Sequence, residues 1–417
     1  MAAQYQDFEL YLSKTADQYF AEVAKSPAGP SHRVPLRLPF GAEPMEVLLL
    51  RLENAVLKAR GYRHGPLTSE EAIVREFGAD LFAAVFRTDA IASHFEKSLN
   101  LVQAAQDRGL RLLLRVEPPE LAMLPWEYMF DNSQRDDDFN YICLRSASPV
   151  VRFLHASSAP TTLRVQGPLR ILGMISNPTD GHWESLDVDA ERRQIEEVVA
   201  ALPGAVHFEW VKGGGYDDLF ESMQSGSWHV FHFIGHGGTD RYHSPEGDLR
   251  AEGYVVMQSG VGGSVKISAS TLGLVLDDTG NTLKLAVLNC CDSGKGSGGL
   301  SSVGASLVSA GVPLVIAMQF AISNGAATRF AGRFYRQLVS GQSVEQALTV
   351  ARRFMRAQSN VEWGIPVLLT RTGANVLFEI EQNPAQTAPA GLDPRSNKSP
   401  DADCQARARE ELRELFR

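Results

Sequence analysis

WHVFHFIGHGG, residues 228–238, is a short apolar run that stops at a histidine flanked by glycines. Runs of the same kind, separated by stretches of helical spacing, are LRILGMI (169–175), VHFEWV (206–211), KLAVLN (284–289), PLVIAM (313–318) and IPVLLT (365–370). Nearly continuous apolar strands are typical of a mostly parallel sheet whose two faces are covered by helices. The sequence therefore predicts an α/β/α sandwich built on a mostly parallel six-stranded sheet.

Outside this core the hydrophobic pattern predicts other kinds of structure. The segments FELYLS (8–13) and HRVPLRL (32–38) alternate apolar and polar positions, which indicates antiparallel strands. Helical spacing follows over 44–60, 68–86 and 89–108, and RLLLRVEP (111–118) is predicted as a strand. These parts are expected to precede the core.

The expected organisation has five parts along the chain. A segment rich in Pro, Ala, Asn and Asp follows the last core strand and lacks an apolar period, which is typical of a linker. The final residues could form a helix too short to be stable alone, so a disordered tail stays an equal alternative. The predicted parts are a small antiparallel β element (1–43), a helical and strand region (44–165), the α/β sandwich (166–378), a linker (379–404) and a short helix or disordered tail (405–417).

Composition and charge exclude several classes of protein. A net charge of −9 and the lack of a basic cluster give no reason to expect direct binding of nucleic acid. The longest nearly apolar run, 312–322, is too short to cross a bilayer, so we expect no membrane partner and a cytoplasmic location. The chain gives no indication of its oligomeric state.

The four cysteines do not suggest a disulfide framework or a metal centre. Cys290 and Cys291 are adjacent, and neighbours in sequence rarely bridge without distorting the backbone. No CxxC pair or Cys/His set with zinc spacing occurs. Gly294, Gly296 and Gly299 match GxGxxG, but no acidic residue follows at the distance that a dinucleotide site requires. We therefore expect neither a metal nor a cofactor.

Two strand ends carry residues suited to nucleophilic catalysis. The strand at 228–234 is followed by GHGG, and the strand at 284–289 is followed by CCDSG. Because ligands collect at the carboxyl ends of parallel strands, His236 and one of the two cysteines should face each other there. An imidazole can take the proton of a thiol or hold the thiolate by charge. The backbone amides of Gly237 and of the nucleophilic cysteine could then bind an oxyanion.

HFIGHGG (232–238) and VLNCCDSG (287–294) resemble the histidine and cysteine motifs of the CHAT family, which is related to caspases, separases and gingipains. The 55 residues between His236 and Cys291 are similar to the spacing of about 50 in caspases. Further resemblance lies in LPWEYMF (124–130), SPVVRFL (148–154), SLVSAGVPLVIAMQF (306–320), RFYRQLVSGQSVEQAL (333–348) and WGIPVLL (363–369). The resemblance implies a caspase-like fold and a cysteine endopeptidase with a Cys-His dyad.

The resemblance also selects one cysteine. The family motif reads small-small-Cys-acid-Ser/Thr-Gly, which places the nucleophile at Cys291 and gives Cys290 the position of a small residue. Cys290 is then expected to be buried packing, since successive strand residues face opposite sides of a sheet. His236 would give a proton to the leaving amine, with the amides of Gly237 and Cys291 as oxyanion donors.

Four residues are candidates for the substrate pocket by the same resemblance: Asn289, Asp292, Gln319 and Ser323. Relatives that cut after Arg or Lys often have an acid two residues before the nucleophile, where this chain has Asn289. A strictly basic preference is therefore not expected. At the family level, the resemblance implies regulated cleavage of one or a few proteins, a sensor or regulatory partner, and a role in bacterial defence or programmed death.

Three other functions stay open from the residues alone. The fold could be a scaffold without activity, with the tail helix as its docking element, although a scaffold has no need for both dyad residues. A Cys-His enzyme acting on small amides is a second alternative. A redox role of the adjacent cysteines is the third, and it predicts that Cys290 is essential.

Overall fold

The structure is a computed structural model that describes residues 4–38, 44–59, 67–105, 108–133, 140–154, 163–183, 185–243, 249–260, 262–277, 282–291, 301–357, 361–371 and 378–380. Most of the predicted linker and all of the predicted tail lie outside these ranges, as do Asp292 and the glycine-rich stretch after it. The described residues fall within one unit, Met1–Glu381. The boundaries at 43, 165 and 378 stay predictions.

Fifteen strands are present in the described part of the chain. They are β1 (Gln4–Thr15), β2 (Gln18–Lys25), β3 (Val34–Leu36), β4 (Arg108–Val116), β5 (Val150–Phe153), β6 (Leu163–Val165), β7 (Leu169–Ile175), β8 (Val206–Trp210), β9 (Val230–His243), β10 (Leu249–Ser259), β11 (Gly263–Ser268), β12 (Leu285–Cys291), β13 (Leu314–Met318), β14 (Pro366–Thr370) and β15 (Phe378–Ile380).

The helices lie between these strands in the sequence. They are α1 (Met45–Lys58), α2 (Ser69–Phe86), α3 (Asp89–Ala104), α4 (Pro119–Ala122), α5 (Val188–Ala200), α6 (Tyr216–Gln224), α7 (Ala269–Asp277), α8 (Ser301–Ser309), α9 (Asn324–Val339) and α10 (Val344–Arg356). Short 3₁₀ turns occur at Trp126–Tyr128, Ile142–Leu144 and Glu362–Gly364.

The six predicted core strands form one continuous part of the main sheet, in the order β8-β7-β9-β12-β13-β14. The first five are parallel and β14 runs antiparallel to β13. Within the described residues this sheet contains 13 strands, because it continues on both sides of the predicted core. Seven of its twelve strand pairings are parallel, which confirms the predicted fold class of a mostly parallel α/β sheet.

The N-terminal strands form one edge of this sheet. β1, β2 and β3 pair antiparallel, as their alternating pattern predicts, and β1 also pairs parallel with β4. β4 pairs with β5, which pairs with β14 of the core. The N-terminal β element is thus hydrogen-bonded to the core through β4 and β5. A separate pair of strands, β6 and β15, is parallel.

Helices cover both faces of the sheet and form two apolar cores. One core contains side chains of α1, α2, α3, α5, α9 and α10, and the other contains side chains of α6, α7 and α8. Strand residues alternate between the two: Val287 of β12 belongs to the first core, and Leu288 belongs to the second. This alternation explains the nearly continuous apolar runs of β9, β12, β13 and β14, since most positions of these central strands are buried on one face or the other, whereas the edge strand β8 is only partly buried.

Candidate active site

The predicted histidine and cysteine lie side by side at the carboxyl ends of two adjacent strands. β9 and β12 are parallel, and their register pairs His236 with Cys291 and Gly235 with Cys290. Neighbouring strands in a sheet are about 4.8 Å apart. The backbone therefore brings these two positions as close as adjacent strands allow. The structure describes the backbone of Cys291 but not its side chain.

The environment of Cys290 is that of a packing residue. Its side chain is fully buried in the second core, which also contains Leu288, Val255 and Val303. A free thiol in such surroundings behaves as a small hydrophobic group. Cys143 is also a buried free thiol, and burial raises its pKa to about 12. Neither position suits a nucleophile that must form a thiolate near neutral pH.

A tryptophan that the sequence analysis did not identify covers His236. The imidazole is only 1% exposed, and the Trp183 indole stacks on it with 5.5 Å between ring centroids and 26° between ring planes. Trp183 follows β7, the core strand beside β9, and also makes an edge contact with Tyr254 of β10 at 6.5 Å. The sequence could have indicated Trp183 by its position after a core strand, because ligands collect at that edge of such sheets.

Glycines beside His236 are required by close packing. A Cβ atom on Gly235 would lie 2.7 Å from the Phe233 ring and 3.1 Å from the carbonyl oxygen of Ser176. A Cβ atom on Gly238 would lie 2.7 Å from the Tyr254 hydroxyl. The GHGG motif is therefore explained by the packing of β9 against its neighbours. The candidate oxyanion donor Gly237 is buried, and its register partner on β10 is Val255.

Gln319 belongs to a buried hydrogen-bond network. Arg152 Nη2 donates to Glu127 Oε2 at 2.6 Å and to Gln319 Oε1 at 2.9 Å, and Arg152 Nε donates to Glu127 Oε1 at 3.1 Å. Gln319 Nε2 donates to the Gly364 carbonyl at 2.7 Å and to Glu127 Oε2 at 3.2 Å. Both ends of the amide are therefore engaged inside the protein, so a role in the substrate pocket would require these bonds to change.

The other two pocket candidates in the described part of the chain lie near the carboxyl end of β12 and at the start of α9. Asn289 is half-buried on β12 and pairs in register with Ile234. Ser323 caps α9, because its hydroxyl accepts from the Ala326 amide at 3.3 Å. The amide of Ser323 in turn donates to Glu362 Oε1 at 2.9 Å. Asp292, the fourth candidate, lies outside the described residues.

The surroundings of His232, which lies four residues before His236 on β9, are those of a structural residue rather than a metal ligand. It is buried, and its Nδ1 is 2.7 Å from the Tyr335 hydroxyl of α9. Burial lowers its pKa to about 4, so the ring is neutral near neutral pH. In the described ranges, no group of three or more His, Cys, Asp or Glu residues has the arrangement of a metal site. Those ranges also contain no helix both long and apolar enough to span a membrane.

The chain matches the CHAT domain family over residues 77–400. It therefore belongs to that family of caspase-like cysteine peptidases, as the motifs predicted. No curated protein sequence matches it. The chain is similar to a solved structure of the Arg-specific cysteine proteinase gingipain R, with 8% sequence identity and a TM-score of 0.40. The match covers 80% of this chain and 74% of the gingipain chain. At that score the likeness has no bearing on the activity of this chain.

Proposed function

We propose that this protein is a cysteine endopeptidase in which Cys291 is the nucleophile and His236 the proton donor. The observation that carries the proposal is the register of β9 and β12, which pairs these two residues at the carboxyl edge of the sheet. The burial of Cys290 in the apolar core supports Cys291 as the reactive member of the pair. Membership of the CHAT family supports peptide-bond cleavage.

The reaction would be acyl transfer in two steps. The Cys291 thiolate attacks the scissile carbonyl and forms a C–S bond, while His236 gives its proton to the leaving amine as the C–N bond breaks. Water, deprotonated by His236, then hydrolyses the thioester and releases the acid. The amides of Gly237 and Cys291 would stabilise the oxyanion in both steps. The proposed substrate is a protein. We also propose a regulatory partner that controls the access of this substrate to the active site.

The proposal includes a cytoplasmic location. Two of the four cysteines, Cys143 and Cys290, are buried and form no disulfide. Reduced thiols without disulfides are typical of a reducing compartment. Fractionation of the native host cell, with the protein detected by an antibody, tests this location independently of the activity.

Cleavage of a diverse peptide library, read by mass spectrometry, tests the dyad. We expect cuts by the unmodified protein that disappear in both Cys291→Ala and His236→Ala. Cys290→Ala is the matched control for the adjacent thiol and His232→Asn for a second buried histidine of β9, and both should retain the cuts. Activity lost in Cys290→Ala and kept in Cys291→Ala would support the redox alternative instead.

Absence of cuts leads to a second measurement with an electrophilic probe. Labelling of Cys291 that depends on His236 would indicate a latent peptidase that lacks its activator. Cys291 that reacts no faster than a free thiol would contradict the dyad and favour the scaffold. Cleavage of small amides without cleavage of peptides would favour the amidase.

A further inference from the structure

The loop that carries Trp183 is closed and attached to the strands of the site. The Asn177 side chain accepts from the Leu186 amide at 3.0 Å and donates to the Leu186 carbonyl at 3.1 Å, which joins the two ends of the loop. The carbonyl of Asn177 accepts from Gln258 Nε2 of β10 at 2.9 Å. The Thr179 amide donates to the Gly262 carbonyl at 3.0 Å, just before β11. This loop, 177–186, is described except for residue 184.

The loop is also fixed to β9 close to His236. The Ser176 amide donates to the Ile234 carbonyl at 2.9 Å, two residues before the histidine. The indole therefore approaches the imidazole from a backbone that is bonded both to β9 and to the β10–β11 hairpin. Its edge contact with the buried Tyr254 supports it from the side. Because these bonds already order the loop in the folded protein, the stacked arrangement needs little further loss of conformational entropy.

We propose that Trp183 is a positioning residue for His236, which holds the imidazole plane in place and stabilises its protonated form through the indole π face. A ring-centroid distance of 5.5 Å is within the roughly 6 Å at which a cation is attracted to an aromatic face. Tryptophan is the strongest side chain for this interaction. The imidazolium is the form that pairs with a thiolate and that gives a proton to the leaving amine. This inference rests on the proposed Cys-His dyad.

Substitutions that separate the π face from simple burial test the inference. Trp183→Leu keeps an apolar side chain and removes the ring, whereas Trp183→Phe keeps a ring. We expect the rate of iodoacetamide alkylation at Cys291, read by fragment mass spectrometry, to fall about threefold to tenfold in Trp183→Leu and by less than about twofold in Trp183→Phe. Trp210→Leu is the matched control, because Trp210 is equally half-buried and lies on the edge strand β8. It should leave the rate unchanged.

A second measurement is independent of reactivity. In a Cys291→Ala background with ¹³C-labelled histidine, the ring current of the indole should shift the His236 Cε1–H signal upfield. The shift should disappear in Trp183→Leu and remain in part in Trp183→Phe. Once a peptide substrate is known, the Leu variant should lower kcat and leave KM unchanged, since the indole acts on the histidine rather than on the substrate.

The outcomes distinguish this inference from the dyad itself. Alkylation that is slowed by His236→Ala but not by Trp183→Leu overturns the role of Trp183 and leaves the dyad intact. Equal slowing in the Leu and Phe variants overturns the π interaction. Alkylation that is insensitive to His236→Ala overturns the dyad, and with it the role of Trp183 in catalysis, whatever the ring-current shift reports.

Discussion

Two buried histidines on β9, His232 and His236, have different neighbours. His236 lies under the Trp183 indole at the carboxyl end of the strand and pairs in register with Cys291. His232 lies four residues earlier, where Tyr335 contacts its Nδ1 and its Nε2 has no hydrogen-bond partner among the described residues. A buried imidazole with one satisfied nitrogen is costly to protonate, because the charge would lose its hydration. His232 should therefore affect stability rather than catalysis.

Stability should fall in acid because of His232. The unfolded chain binds a proton there below pH 6.5, whereas burial lowers the pKa in the folded state to about 4. The free energy of unfolding is therefore unaffected by this group well above pH 6.5 and decreases as the pH falls towards 4. At pH 5 the decrease is about 2 kcal/mol. Urea unfolding at pH 8 and pH 5 should show a smaller loss for His232→Asn than for the unmodified protein.

His229 provides the comparison for that measurement. Burial, with a smaller effect of Arg170, lowers its pKa to about 4 as well, so the His232→Asn variant should keep the part of the acid loss that His229 causes. If the unmodified protein and His232→Asn lose the same free energy of unfolding between pH 8 and pH 5, His232 is protonated in the folded state at pH 5, which contradicts the prediction.

Among the elements, α2 has the most complete cap signal. The Thr68 hydroxyl accepts from the Glu71 amide at 3.2 Å, and the Glu71 carboxylate accepts from the Thr68 amide at 2.7 Å, which forms a capping box. α2 packs Gly78 against the LPWEYMF segment, since a Cβ atom there would lie 1.9 Å from the Tyr128 carbonyl oxygen. The start of this helix therefore helps to fix a segment that lies against the core.

Loss of this cap should destabilise the protein measurably. We expect Thr68→Ala to lower the free energy of unfolding by about 1 kcal/mol, because the Glu71 amide loses its acceptor, and Thr68→Ser to lower it less. The matched control is Thr88, at the same position of α3, whose side chain makes no capping bond. Thr88→Ala removes only the bond from its hydroxyl to the Val85 carbonyl and should cost less than Thr68→Ala in urea unfolding. Equal losses in Thr68→Ala and Thr68→Ser would indicate that the capping bond contributes nothing.

Local patterns predicted the elements whose signals lie within a few residues. The six apolar runs correspond to β7, β8, β9, β12, β13 and β14. Ser343 with Gln346 three residues later predicts a capping box, and Ser343 does cap α10, since its hydroxyl accepts from the Gln346 amide at 3.3 Å. Only half of that capping box forms, because the side-chain oxygen of Gln346 has no hydrogen-bond partner in the part of the chain that the structure describes.

Features that depend on distant partners were not predicted. β9 continues beyond its apolar run to His243 because it pairs with β10. The glycines in both strands interrupt the apolar pattern, so the pattern did not predict this part of the strand. The parallel pairing of β1 with β4 joins residues about a hundred positions apart, which no local period reports. The same limit applied to Trp183, since its importance follows from contact with a histidine 53 residues later.

At the scale of the whole molecule, four of the five family motifs outside the dyad meet in one buried network. Glu127 comes from LPWEYMF, Arg152 from SPVVRFL and Gln319 from the end of β13. Arg152 also donates to the carbonyls of Ala122 and Leu124. The sequence showed these motifs as separate resemblances and could not show that they bind one another. The network joins β5 and β13 to the Trp126–Tyr128 turn, and so fixes the N-terminal region to the core that carries the candidate site.

Removal of one charge from this network should be more damaging than removal of both. Glu127 is fully buried, so Arg152→Met leaves an unpaired carboxylate inside the protein and should cost about 3–5 kcal/mol. Arg152→Met combined with Glu127→Gln removes both charges and should cost less than Arg152→Met alone. Lys14→Met is the control, because its ion pair with Glu120 is exposed and should contribute at most about 1 kcal/mol.

The double-mutant cycle compares four proteins by urea unfolding: the unmodified protein, Arg152→Met, Glu127→Gln and the double variant. Additive losses would mean that the ion pair is not coupled and that the motifs are held together by packing alone. A coupling of the expected size would mean that folding of the N-terminal region and of the candidate site is one event, because the pair crosses between them. Variants that lose this coupling should then also lose His236-dependent labelling of Cys291, although neither Glu127 nor Arg152 takes part in the proposed chemistry.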